Sequence, residues 1–546
     1  MLAKLKLLTD PSREEAAFYL LLPLAVALLL MQTMSLYTTP IPDSYLWWGD
    51  ESWLTIEFGT QILEGVFRHP YALGSSLEHG SGLIFGNMWI TALLYGTPAA
   101  LLKNADIVLI GRSVTALLSL TLLVSLYEVI QRLTSDRIMA LLGTILLLSS
   151  RSFLFTSHSA RYDILTSLSI LIVIFFLFQI IDRSPLTWLQ SLLVGFAIGA
   201  TLLITIHVTL AIGIAAFLSI LVNSRGRRFQ NAAIFCIGAA IFILLLIGIN
   251  QLRGTSSLFG GSATSAYYLN LRDIPALRPF SRSVQIANLT QRWNTLTTLS
   301  LGYIIMLLAL TLLAIYSLWR KRISVNITTQ KIILLVAFVS WLLFESSAPT
   351  SYLIYILPLL SIGIVLTIRD LLPERVGRWV AILGGVILCL FGLADAPLPH
   401  GVGKLMTTQN EQAVDQALES IEPSDNHDKP DRHPLVLAFN PAIHRVLLDT
   451  NVRLMTTHFV EFPEADKFAA RSVQDIIRKE KVDYILLYKS AVKPDYMREV
   501  GPIAKAAQSM GTLVFERADL FTDIGRSYFS SSRNLPDTIQ LYRVHE

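Results

Sequence analysis

Four groups of residues in this chain are of types that do chemistry. Asp50-Glu51 is an adjacent acidic pair just after Trp47-Trp48-Gly49. A carboxylate within hydrogen-bond reach can take a proton from an acceptor hydroxyl or amine, so the pair is a candidate general base. Taken alone, Asp50 reads more plainly as the cap of a following helix. The second group is Ser157-His158-Ser159-Ala160-Arg161-Tyr162-Asp163. Here the plain reading is Arg161 anchored in lipid headgroups and Asp163 capping the next helix. His207 is the only ionisable residue between Arg183 and Arg225. Such a group inside a membrane faces a cavity or packs as a hydrogen-bonded histidine, and both readings stand. The last group is Glu345 with Tyr352, Tyr355 and Pro358. Its tyrosines suit either a membrane-interface belt or a substrate pocket.

Composition says what must position these groups. Of 546 residues, 53% are apolar and only 15% charged, and the mean hydropathy is +0.54. A soluble domain carries about 25% charged residues. The deficit is uneven: residues 1–395 hold 45 charged side chains, residues 396–546 hold 39. The first part belongs in lipid, and the tail has the composition of a soluble domain. A soluble enzyme, a disordered chain and a fibrous protein are excluded. A net charge of +4 without a clustered basic face does not point to nucleic acid. Cys236 and Cys389 lie in apolar runs and give neither a disulfide framework nor a metal site. The N-terminal apolar run lacks a small-residue cleavage site and is expected to stay as an anchor.

Apolar runs long enough to span lie near 16–36, 112–131, 138–155, 164–181, 231–250, 297–318, 331–345, 352–368 and 378–394. The stretch 188–222 is expected to form two short spans turning near His207, which brings the number to about eleven. Placing Lys4, Lys6 and Arg13 inside puts Arg132, Arg137, Arg183, Arg225, Arg227, Arg228, Arg320, Lys321, Arg322, Lys331, Arg369, Arg375 and Arg378 inside as well. Residues 80–102 carry no charge after Glu78 and His79, but a span there would turn the arginine-rich loops outward. They are therefore read as a helix in the outer interface. Ahead of them Trp53, Ile56, Leu63 and Phe67 fall on one helical face. Two long outer loops result, 37–111 and 251–296, the second carrying Arg272, Arg278 and Arg282. In the tail, strand-like runs at 435–439, 483–488, 512–516 and 538–543 alternate with helical ones at 409–420, 464–481 and 497–509, an α/β pattern. The fold class is thus a polytopic α-helical membrane protein with a C-terminal extracytoplasmic α/β domain. The domains are 1–395 and 396–546.

This arrangement resembles the GT-C glycosyltransferases, in the branch of protein O-mannosyltransferases and aminoarabinose transferases. The resemblance rests on Asp50-Glu51 in a long first outer loop and on Glu78-His79-Gly80-Ser81-Gly82-Leu83 before a helix containing Trp89. It rests further on Arg112 opening the next span, on Ala160-Arg161-Tyr162-Asp163-Ile164-Leu165, and on Ser351-Tyr352-Leu353-Ile354-Tyr355-Ile356-Leu357-Pro358. The resemblance implies the GT-C fold and transfer of a sugar from a polyprenyl-phosphate carrier to a lipid, glycan or protein acceptor. The reaction would take place outside a bacterial-type inner membrane. By the same resemblance Asp50, with Glu51, is the general base and Asp163 the second acid. Arg112 and Arg161 bind donor phosphate, with His207, Arg272, Arg278 and Arg282 as further candidates. Glu78, His79, Glu345, Tyr352 and Tyr355 are candidate substrate contacts. No metal or cofactor is expected, because the leaving group is already a phosphate. The competing readings are a secondary transporter or lipid flippase, whose usual internal repeat is missing here, and a non-catalytic envelope scaffold.

Overall fold

The computed structural model describes residues 11–36, 89–102, 107–157, 162–182, 187–204, 206–223, 227–252, 354–395, 412–421, 433–438, 446, 451–456, 473–488, 500–523 and 534–545. The chain divides into two compact units. The first comprises Met1–Tyr37, Arg112–Leu244 and Ile274–Leu398; the second comprises Thr38–Gly111, Leu245–Asp273 and Pro399–Glu546.

The described helices of the membrane part are α1 (Pro11–Leu36), α2 (Trp89–Leu101), α3 (Ile107–Thr134), α4 (Arg137–Leu148), α5 (Arg151–Ser157), α6 (Asp163–Asp182), α7 (Trp188–Ala200), α8 (Ile206–Asn223), α9 (Arg228–Leu252), α10 (Leu357–Leu371) and α11 (Glu374–Asp395). Among the described residues three helices are long and apolar enough to cross a membrane: Ile110–Thr134, Arg228–Gly248 and Glu374–Leu393. Shorter apolar helices accompany them. The expected spans at 297–318 and 331–345 lie outside the described residues. So do the amphipathic segment 53–67 and loop residues 253–296.

In the first unit α4 forms the core. Ten of its twelve residues, from Ile138 to Leu148 without Thr144, are buried against α1, α10 and α11. A helix apolar on every side must be surrounded, and this one is. Glycines let its neighbours close in: a Cβ on Gly385 of α11 would stand 3.1 Å from Leu21 of α1, and one on Gly392 would stand 2.9 Å from Leu28. Gly195 of α7 and Gly238 of α9 approach each other's helices so closely that any side chain would strike the backbone at Phe235 or Leu192. Outward, Leu20, Leu117, Val124, Phe176, Leu193, Leu244, Leu383 and Leu390 are exposed. Such an apolar exterior suits hydrocarbon, where small residues rather than water draw helices together.

Two expected boundaries differ. The run 138–155 is broken in two at Ser149-Ser150, where the Ser150 hydroxyl donates to the Leu147 carbonyl at 2.8 Å and accepts from Phe153 N at 3.2 Å. One serine thus ends α4 and starts α5, a local bond that competes with helix continuation. In 188–222 the turn falls earlier than His207. It is a 3₁₀ turn at Thr201–Leu203, closed by the Thr201 hydroxyl against the Ile198 carbonyl at 2.6 Å and the Thr209 hydroxyl at 2.7 Å.

The second unit contains a five-stranded sheet in the order β2-β1-β3-β5-β4. The strands are β1 (Leu435–Ala438), β2 (Arg453–Thr456), β3 (Tyr484–Tyr488), β4 (Gly511–Asp523) and β5 (Asn534–Val544). β1 is parallel to both neighbours, with Val436 opposite Leu454 and Tyr484, and all four of its residues are buried. A strand covered on both faces reads as an unbroken apolar run. β5 runs antiparallel to β3 and β4. Helices α12 (412–419), α13 (Val473–Glu480) and α14 (Val500–Met510) belong to the same part of the chain. Ala413, Ala417, Ile477, Ile503 and Ala507 pack with Leu437, Ile485 and Leu541 into one core. Asp483 ties β1 to β3 by accepting from Leu435 N at 2.7 Å.

Candidate active site

The hairpins of the first unit sort its charges into two ends. Thr134-Ser135-Asp136 joins α3 to α4, with Ser135 at a left-handed φ of 56°. Arg369 in the last turn of α10 donates to the Leu133 carbonyl. Arg378 of α11 pairs with Asp136 at 2.8 Å and with Glu374 at 3.0 Å. Asp136 also caps α4, accepting from Ile138 N at 2.8 Å and Met139 N at 3.2 Å. Because α4 leads away from this end and α10 leads toward it, the start of α6 and the start of α10 share the opposite end.

There the structure brings together two of the residues singled out in the sequence. Asp163 is the first residue of α6 and is fully buried. The Tyr355 hydroxyl, 1% exposed, donates to Asp163 Oδ1 at 2.6 Å across 192 residues of sequence. An O–H···O separation of this length is at the short end of the hydrogen-bond range. The helix N-terminus adds a favourable field for the carboxylate. Asp163 stands inside the helix's first turn, whereas Asp136 occupies the true capping position of its own helix. One turn beyond Asp163, the Ser167 hydroxyl donates to the Ile354 carbonyl at 2.9 Å. The segment before α10 is therefore fastened to α6 at two points.

Arg112 lies near the start of α3, 6% exposed, with Thr115 and Ser119 buried on the same face three and seven residues on. From Arg112 to Thr134 α3 rises about 33 Å, and α4 with α5 climbs back a similar length, so Arg112 belongs to the Asp163 end. His207 is the second residue of α8, beside the Thr201 turn; its backbone is described and its side chain is not. Asp50, Glu51, Glu78, His79, Arg161, Arg272, Arg278, Arg282, Glu345 and Tyr352 lie outside the described residues.

Sequence reasoning missed two buried hydroxyls, one on α6 and one on α10. Several Ser and Thr side chains of these helices donate to the carbonyl four residues back, as Ser119, Ser169 and Thr367 do. Thr166 and Ser361 are buried with no hydrogen-bond partner among the described residues. A buried hydroxyl left unpaired costs about 1–3 kcal/mol. Polar residues inside an apolar run were the available signal. Among the described residues no three His, Cys, Asp or Glu side chains gather as a metal site.

No family model matches the chain, and no curated protein matches it. Solved structures do. ArnT from Cupriavidus metallidurans in the apo state aligns with a TM-score of 0.51 at 12% identity, over 94% of this chain and 97% of that one. The same protein bound to undecaprenyl phosphate gives 0.49 at 12% identity, over 96% and 97%. The Archaeoglobus fulgidus oligosaccharyltransferase, in complex with zinc and sulfate, gives 0.48 at 12% identity, over 94% and 73%. At such identity the likeness is one of fold. The chain shares its overall fold with ArnT from Cupriavidus metallidurans.

Proposed function

We propose that the chain is a glycosyltransferase that moves a sugar from a polyprenyl-phosphate-linked donor to a lipid, glycan or protein acceptor on the extracytoplasmic face of the membrane. The observation that carries this reading is the buried Asp163–Tyr355 hydrogen bond of 2.6 Å at the end of the bundle away from the Asp136–Arg378 cluster. An ionisable group buried in a membrane bundle is costly, and its retention there points to function. The shared fold and the motif resemblance supply the reaction class.

Sidedness follows from charge. Arg132, Arg137, Arg369 and Arg378 gather where the hairpins turn back, and basic ends stay in the cytoplasm. The Asp163 end is then extracytoplasmic. In this reading 396–546 stays a soluble α/β domain on the extracytoplasmic side, where the run of basic inside loops in the sequence puts the tail.

The chemistry asks for three things. An acceptor nucleophile attacks the anomeric carbon and a carboxylate removes its proton; this is the role assigned to Asp50, with Glu51 beside it. Cationic groups take up the charge growing on the departing lipid phosphate, and Arg112, Arg161, Arg272, Arg278 and Arg282 are suited to that, with His207 as a further donor. Asp163, held by Tyr355, acts as the second acid. Glu78, His79, Glu345 and Tyr352 complete the substrate contacts of this reading. No metal or cofactor is part of it.

The test is sugar transfer by the purified chain in lipid nanodiscs, from a radiolabelled polyprenyl-phosphate sugar to an envelope fraction. Labelled product and released polyprenyl phosphate are expected. Solute uptake into liposomes without any transfer would contradict the reading in favour of a transporter, the class that the Ser149-Ser150 helix break also fits.

A further inference from the structure

We propose that Ser167 is a positioning residue: through the Ile354 carbonyl it sets the Tyr355 hydroxyl on Asp163. The inference rests on reading Asp163 as part of the active site. Ser167 behaves unlike other hydroxyls of its helix. A helical serine ordinarily bonds the carbonyl four residues back, as Ser169 does with Leu165 at 2.7 Å. For Ser167 that carbonyl would be Asp163's own. Ser167 instead reaches across 187 residues of sequence to Ile354 O at 2.9 Å, fully buried.

The receiving segment has a reason to need this hold. α10 starts without a side-chain cap: Ile356 stands at its N-cap with no side-chain hydrogen bond, and Pro358 sits in its first turn. A helix start with no cap of its own leaves the preceding residues to be fixed by other elements. Ile354 and Tyr355 form a short 3₁₀ turn just ahead of it, both buried. Ser167 holds the backbone of the first residue and Asp163 holds the side chain of the second, one helical turn apart on the same face of α6. Without the Ser167 bond, the Tyr355 ring keeps its packing but loses the backbone anchor that aims its hydroxyl.

The experiment places 3-fluorotyrosine at position 355 of the full chain in lipid nanodiscs and reads its ¹⁹F resonance, with transfer kinetics measured in parallel. Asp163→Asn changes the acceptor and is expected to shift the resonance. Ser167→Ala is expected to shift or broaden it in the same sense and to lower kcat about tenfold with an unchanged KM for the donor, as misplacement of a distant support does. In a Tyr355→Phe background Ser167→Ala should then cost nothing further. An unmoved resonance in a folded Ser167→Ala protein, or a full additive loss in the Tyr355→Phe background, overturns the proposal. The resonance does not depend on turnover, so it judges Ser167 even if the sugar-transfer reading fails.

Discussion

Two aspartates stand at two helix starts, at opposite ends of one bundle, and they are used differently. Asp136 spends one oxygen on the backbone N–H groups of Ile138 and Met139 and the other on the Arg378 guanidinium. Every one of these partners belongs to the scaffold. Asp163 lies inside its helix, with one oxygen held by a phenol that arrives from a distant segment. The first arrangement closes a hairpin. The second keeps a carboxylate buried and aimed, and that costs stability unless something else is gained. Residue type alone does not separate the two; their places in the helix and the partners they hold do.

Asp50 sharpens the comparison most, because it must resemble one aspartate or the other. Asn caps a helix as well as Asp, so Asp50→Asn should be nearly silent if Asp50 only caps. As a general base it should cost about 10²–10⁴-fold in transfer rate, with donor binding intact. Single-turnover transfer and donor-binding measurements separate these outcomes.

A smaller effect is expected from Tyr355→Phe, which removes the hydroxyl and keeps the ring. Loss of one hydrogen bond to a charged group should lower kcat by about ten- to a hundredfold, measured at saturating donor. Asp136→Ala should destabilise the fold by about 1–2 kcal/mol through the lost cap, seen as a lower melting temperature, while activity per folded molecule stays near wild type. The smallest effect belongs to Arg132, 3.9 Å from Glu128 with both side chains more than half exposed. Arg132→Ala should cost less than about 0.5 kcal/mol, because exposed helix pairs contribute little. A loss of activity in the Asp136 variant, or none in the Tyr355 variant, would break the contrast between the two ends.

Much of this was legible in the sequence. Apolar runs gave the helices because hydrocarbon admits few alternatives. Buried strands β1 and β3 showed as apolar runs, whereas β2, only Arg453-Leu454-Met455-Thr456, offered no such pattern. The break at Ser149-Ser150 was hidden because serine is tolerated inside apolar helices, and only the Ser150 bonds reveal it. Asp163 and Tyr355 were visible as candidates, but nothing in a linear sequence joins residues 192 apart. Asp136, which caps α4, drew no notice in a basic loop.

The central claim is that the Asp163 end performs sugar transfer and the Asp136 end does not. Asp163→Asn and Asp136→Asn proteins, purified in nanodiscs and matched for folded fraction, should be compared for transfer from a polyprenyl-phosphate sugar. Asp163→Asn is expected to bind the donor and transfer at least about a hundredfold more slowly, while Asp136→Asn transfers at the wild-type rate. Equal rates in the two variants would contradict the account.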